Sequence, residues 1–274
     1  MNGDAGTEAP GLPPSVRGDL ASALGMVRLS GGWLCVEGVP VAPAGPPPEA
    51  LPRALPALSA ALYSRWFAAW NPPAEARSLP FSNGKFFASL RAAHAAAGCF
   101  EPGWVAVAEH SPYGVLAARG EETFLVAKGE YVNLLRPGRP ARGGEPIAIR
   151  ARRDVAAPQD GWWMTWSAAG PAPEEAMLRL YWNCGSESVQ PLIRRITEAA
   201  GNARVRYTLK CPASPSLFGR RDGTVLYFAT RDWPALREPL RRIHRLLAPS
   251  LLDATPPMTF RLGRGAALVE DPAN

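Results

Sequence analysis

Lysine is nearly missing from this chain. Of its thirty basic residues twenty-seven are arginine, and only Lys85, Lys128 and Lys210 are lysine. The two cations do different chemistry: arginine stays protonated and forks onto carboxylate or phosphate, whereas lysine can shed its proton and act as a base. A composition rich in Ala, Gly, Pro and Arg accounts for the shortage without any function, yet it makes each remaining lysine worth inspection. Histidine is scarce as well, with only His94, His110 and His244. The four cysteines, Cys35, Cys99, Cys184 and Cys211, show no CxxC spacing and no histidine in a metal-site position. Free thiols in a reducing compartment are therefore expected.

Other absences narrow the function further. No apolar run approaches the roughly 18 residues a membrane span requires. The N-terminus lacks the basic-then-apolar layout of a signal peptide, so a cytoplasmic protein with no membrane partner is expected. There is no GxSxG elbow and no phosphate-cradling P-loop. Cys184, in Asn183-Cys184-Gly185, has no recognisable histidine partner and reads as a buried or incidental thiol. The net charge of +6 favours an acidic partner. Nucleic acid is disfavoured, because the arginines are scattered, no Lys/Arg run of five occurs and no recognition motif appears.

What is present is a chain of 274 residues with 47 % hydrophobic and 20 % charged residues, ordinary for a globular protein. Residues 1–14 are small, polar and Pro/Gly-rich, so a disordered tail over 1–20 is expected, followed over 21–274 either by a single domain or by two lobes with the break near residue 100. Residues 41–56, with Pro46-Pro47-Pro48, read as an irregular connector. Two strand-like runs flank Gly31-Gly32 as a hairpin. Helical spacing covers residues 51–70 and 86–97. Short strand-like runs follow at 104–107, 113–116, 124–126, 131–135 and 147–150. In the last third, strands at 178–183, 205–209 and 224–229 alternate with helices bearing the stripes Val189, Leu192, Ile193, Ile196 and Leu236, Leu240, Ile243, Leu247. The run at 224–229 reads as a central strand, and Asp232 as an N-cap. Arg237, Arg241, Arg242 and Arg245 form a solvated helix face. The expected fold is α+β: an N-terminal helical segment, a central antiparallel β-rich core, and C-terminal strands with packed helices.

Strand period two locates the chemistry. Arg179, Tyr181 and Asn183 share one strand face, and Arg204, Arg206, Thr208 and Lys210 share another. If the two faces converge, they line a cleft of fixed donors for an anion, in which guanidinium groups bind phosphate through charge-assisted forks. Solvated charges on an exposed sheet face are the competing reading. A lysine base must lose its proton near pH 7 against an ordinary pKa of about 10.4. Neighbouring cations and burial both act in that direction, so Lys210 and Lys128 are the candidates. Phosphate binding joined to a base suits β-elimination from phosphoserine or phosphothreonine. Asp222 is expected to pair with an arginine, Arg220 being the nearest in sequence.

Arg179-x-Tyr181-x-Asn183, Lys210, Phe218-x-Arg220-x-Asp222 and Val225-Leu226-Tyr227 together resemble the HopA-type effector-like family. Pro102-Gly103-Trp104, Val126-x-Lys128-Gly129 and the ending Met258-Thr259-Phe260-Arg261 through Glu270-Asp271-Pro272 fit the same pattern. The resemblance spans residues 63–272. It implies either a plant-pathogen effector or a lyase of class V lanthipeptide and thioviridamide-like biosynthesis. In the latter, a separate Ser/Thr kinase-like protein phosphorylates a ribosomal precursor peptide, and the lyase leaves dehydroalanine or dehydrobutyrine. No metal or organic cofactor is implied. On this reading Lys210 or Lys128 takes the α-proton, Tyr181 protonates the leaving group, and Arg179, Arg206 and Arg220 bind phosphate. Asn183 and Asp222 support them. Two departures favour a non-catalytic, effector-like or leader-peptide-binding adaptor that uses the same basic cleft. His94 stands where the pattern has Asn, and the chain stops at Asn274 where relatives continue.

Overall fold

The computed structural model describes residues 14–43, 50–69, 84–95, 99–110, 114–150, 153–157, 161–173 and 175–271. Expectations that fall on residues 1–13, on Trp70, on 96–98 and on Tyr113 lie outside them. Among the described residues there are five α-helices and fifteen strands in three antiparallel sheets, an α+β fold with a β-rich core.

Helix α1 (Pro14–Gly25) begins the described chain and occupies the stretch where the end of a tail was expected. Proline at the first helical position presets φ, and the following Leu and Ala residues are good helix formers. Strands β1 (Val27–Ser30), β2 (Trp33–Val36) and β3 (Val39–Pro43) form a three-stranded sheet. The Gly31-Gly32 hairpin is present, with both φ values positive at 57° and 78°, which the two-residue turn requires and glycine supplies without strain. Helix α2 (Ala50–Leu62) continues into one π-helical turn, Tyr63–Phe67, closed by Ala68 N–H donating to the Tyr63 carbonyl at 2.8 Å. The expected connector is thus shorter, and Pro56 lies inside the helix. Helix α3 is Gly84–Ala93.

Strands β4 (Phe100–His110), β5 (Gly114–Arg119), β6 (Glu122–Ala127), β7 (Tyr131–Asn133) and β8 (Pro146–Arg150) form a five-stranded sheet in the order β6-β5-β4-β8-β7. Its own buried cluster contains Trp104, Val115, Val126 and Ile147.

The last part builds the larger sheet. Its strands are β9 (Asp154–Ala157), β10 (Trp162–Trp166), β11 (Met177–Trp182), β12 (Tyr207–Pro212), β13 (Thr224–Ala229), β14 (Phe260–Gly263) and β15 (Ala266–Asp271). Their order, β14-β15-β11-β13-β12-β10-β9, puts β13 at the centre, as its apolar run foretold. Helices α4 (Val189–Asn202) and α5 (Trp233–Leu247) join α3 against one face. There Leu192, Ile193 and Ile196 meet Leu180, Leu209, Leu226 and Phe228 in the main core. Truncating one such fully buried aliphatic to alanine costs about 2–5 kcal/mol. Asp232 precedes α5 at the N-cap position, but its side chain makes no capping hydrogen bond. No described helix is long and apolar enough to cross a membrane.

Candidate functional site

Helices α3, α4 and α5 cover one face of the large sheet. Register decides what stands on the other. Lys210 lies opposite Val225, and Val225 opposite Tyr181. One step along, Thr208 lies opposite Tyr227, and Tyr227 opposite Arg179. Directly paired residues share a face, so Lys210, Thr208, Tyr227, Tyr181 and Arg179 stand together, away from the helical core. The two polar strand faces therefore converge across one intervening strand, a separation of about 10 Å at ordinary strand spacing.

Further side chains complete the cluster. Lys210 pairs with Met164 on β10, which puts Trp162 on the same face one diagonal away. The Lys210 Nζ sits 4.2 Å from the centre of the Trp162 ring, and the Arg220 guanidinium carbon sits 4.5 Å from that same centre. Two cations on one indole give each a favourable quadrupole contact while holding like charges near one another. Arg220 is buried at 7 % exposure and Asp222 at 2 %. The guanidinium forks onto the carboxylate, Nε to Oδ1 at 2.6 Å and Nη2 to Oδ2 at 3.0 Å. The π-helical turn then arrives from above: the Tyr63 hydroxyl donates to Asp222 Oδ2 at 2.5 Å, and Arg220 Nη2 donates to the Tyr63 oxygen at 3.3 Å. Arg221 ties the same turn down, its N–H donating to the Ala68 carbonyl at 2.8 Å. Phe67 stacks on Tyr63 and meets Tyr181 edge-on with ring centres 6.0 Å apart. π-helical turns occur disproportionately at functional sites, and here the turn places Tyr63 and Phe67 on the sheet together.

Arg179 is held in the same manner. Its Nε and Nη2 fork onto Asp271 at 2.8 and 2.5 Å, and its guanidinium lies 5.6 Å from the Tyr227 ring centre. Burial raises the Tyr181 hydroxyl above the ordinary tyrosine range, with the Arg179 charge pulling part of the way back. Burial pushes Tyr227 up to about 12 and Tyr63 higher still, where the Asp222 carboxylate adds to it. All three hydroxyls keep their protons at neutral pH.

Other sequence-predicted residues stand elsewhere. Lys128 is exposed in the turn that follows β6, where it lines a cavity of about 460 Å³ with Glu109, Tyr131 and Arg139. That cavity contains none of the residues grouped around Lys210: the spacing of short motifs along a chain carries no distance in space. Arg206 precedes β12, is exposed, and donates from Nε to the Pro171 carbonyl at 3.1 Å, bracing a loop. Asn183 is buried at the end of β11, with Nδ2 donating to the Ala254 carbonyl at 2.8 Å and its N–H to the Gly265 carbonyl. It clamps the loops leading to β14 and β15. Cys184 is buried against the Thr224 hydroxyl, and burial raises its thiol to about 11, which removes it as a nucleophile. His94, the departure from the family pattern, is a core residue: its Nε2 is 2.9 Å from the Tyr207 hydroxyl, and burial with the nearby Arg153 charge lowers its pKa to about 4.

Sequence reasoning missed Tyr63, Trp162 and Asp271 as members of the cluster. Asp271 lies in the Glu270-Asp271-Pro272 ending, and the run Trp162-Trp163-Met164-Thr165-Trp166 carries strand-forming residues that signal β10. Among the described residues no group of three or more His, Cys, Asp or Glu is placed to hold a metal ion.

No curated protein sequence matches the chain. A solved structure, that of the effector protein from Pseudomonas syringae pv. syringae strain 61, is similar at 12 % identity and a TM-score of 0.39, over 77 % of this chain and 71 % of that one. Residues 156–274, which carry β10–β15, α4 and α5, match the HopA1 effector protein family, the family that the chain's own motifs resemble.

Proposed function

We propose that the chain is a phosphoserine/phosphothreonine lyase, eliminating phosphate from a kinase-phosphorylated ribosomal precursor peptide to leave dehydroalanine or dehydrobutyrine. One observation carries the reading: Lys210 Nζ and the Arg220 guanidinium share the Trp162 ring at 4.2 and 4.5 Å, on a sheet face that also bears Arg179 and Tyr181. A potential base, two oriented guanidinium groups and a protonated hydroxyl are the parts this elimination requires.

Lys210 Nζ takes the Cα proton, and the C–H electron pair becomes the Cα=Cβ double bond. The Cβ–O bond breaks, and phosphate leaves with that bond's electrons toward Arg220 and Arg179. Asp222 and Asp271 occupy the Nε sides of the two guanidinium groups and fix their planes, so that binding phosphate costs little side-chain ordering. Tyr181, kept protonated by burial, supplies a proton to the departing oxygen. The enzyme needs no cofactor on this scheme. Its partners are the phosphopeptide and the kinase that makes it.

The test is phosphate release from a Ser/Thr-phosphorylated peptide incubated with the purified chain, with the unphosphorylated peptide as control. Release coupled to formation of a dehydro residue supports the lyase. Tight phosphopeptide binding at full protein excess with no product, using the cognate kinase and precursor, would replace it with the binding adaptor.

A further inference from the structure

The large sheet ends in an open edge. Among the described residues β14 pairs with β15 alone, and Phe260, Arg261 and Leu262 are all exposed, Phe260 at 73 % and Leu262 at 42 %. An edge of this kind presents backbone N–H and C=O groups to any extended segment that aligns with it. Beside it, on the helical side of the sheet, a cavity of about 280 Å³ opens between α5 and the strands, lined by Trp182, Trp233, Arg237, Arg241, His244 and Leu262. The floor is aromatic and aliphatic. The wall carries two guanidinium groups one helical turn apart, and no described carboxylate forms an ion pair with either.

Two details mark the cavity as built to receive a group. Trp182 is 1 % exposed, yet its indole N–H has no hydrogen-bond partner. A buried donor left unmatched is unfavourable, and the residue that carries it lines this cavity. The wall itself is held in place. A Cβ on Gly263 would come within 2.6 Å of the His244 ring, so glycine there lets that ring lie against the strand while its Nε2 reaches the Arg264 carbonyl at 3.0 Å.

We propose that this groove is a docking site for an extended acidic peptide segment, which adds a strand to β14 and seats an acidic side chain between Trp182, Arg237 and Arg241. Main-chain hydrogen bonds to the edge supply affinity, and every second side chain of the added strand faces α5, where the positive wall selects carboxylates. Identification of the occupant as part of the lyase's substrate peptide rests on the reading above. The groove lies on the helical face, opposite the face bearing Lys210, so recognition and chemistry occupy different surfaces of one sheet.

The probe is a fluorescein-labelled, unphosphorylated peptide of alternating Glu and Val residues, titrated against the full chain by fluorescence anisotropy, with an alternating Lys and Val peptide as control. The acidic peptide binds, shifts the tryptophan emission and weakens with salt, while the basic one does not bind. Arg237→Glu/Arg241→Glu and, separately, Leu262→Asp each weaken binding by about tenfold or more. Circular dichroism reads the folding of each variant; Leu262 is exposed, so its substitution keeps the test open if the double arginine variant unfolds. Equal binding of the two peptides, no binding of the acidic one, or variants that bind like wild type overturn the proposal. So does a concentration-dependent dimer that Leu262→Asp abolishes, which would assign the edge to a second copy of this chain. Because the probe carries no phosphate, its result is independent of whether phosphate is eliminated.

Discussion

Replacing Asp222 by alanine should be the most damaging single change on the candidate face. Asp222 and Arg220 are almost wholly buried, and the carboxylate accepts both arms of the guanidinium as well as the Tyr63 hydroxyl. Removing it leaves Arg220 charged in a site with little water, a loss of about 3–5 kcal/mol for a broken buried pair. That is a large share of the roughly 5–15 kcal/mol that holds a domain folded. Tyr63→Phe removes one hydrogen bond to a charged acceptor and should cost less, about 1.5–3 kcal/mol. The 3.3 Å contact from Arg220 to Tyr63 adds little to this because it is long. Urea unfolding of the two single variants and the double variant gives the coupling. The Tyr63→Phe cost should nearly vanish once Asp222 is alanine. The π-helical turn is anchored through the same residues, so amide exchange over 63–68 should accelerate in both variants. A loss below about 1 kcal/mol for Asp222→Ala, typical of an exposed pair, would refute the claim that this network is buried and structural.

His94 gives a pH signature. Its folded pKa of about 4 lies below the ordinary 6.5, so between these values the unfolded chain binds more protons than the folded one and stability falls as pH falls through that window. The pH-dependent part of the difference between wild type and His94→Gln should reach about 3 kcal/mol by pH 4 and level off above pH 7, read by urea titration at each pH. Gly263→Ala should cost about 1–3 kcal/mol, because the new Cβ displaces the His244 ring, and thermal unfolding checks it. Lys128→Ala should retain phosphate elimination, since that lysine lies in the turn after β6 and lines a cavity without any residue of the Lys210 cluster; complete loss in a steady-state assay would contradict this.

Local patterns made much of this fold legible. Gly31-Gly32 announced its hairpin because a two-residue turn requires positive φ at both positions. The apolar run at β13 announced a central strand because both its faces are covered. Period two put Arg179 with Tyr181 and Thr208 with Lys210, and registry through β13 then joined the pairs on one face. What the sequence could not show is long-range pairing. Tyr63 reaches Asp222 across 159 positions, and Asp271 reaches Arg179 across 92. Neither contact leaves a trace in local periodicity. β10 was overlooked because Trp162-Trp163-Met164-Thr165-Trp166 is largely buried on both faces and shows no clean polar alternation.

The most direct test of the account is mass spectrometry of a Ser/Thr-phosphorylated peptide after incubation with wild type and with Lys210→Met, each shown to be folded by circular dichroism. Wild type should release phosphoric acid from the peptide, and the variant should leave the phosphopeptide intact. Equal turnover by both would remove Lys210 from the chemistry, and an intact peptide with wild type, even with the cognate kinase and precursor supplied, would contradict the lyase itself.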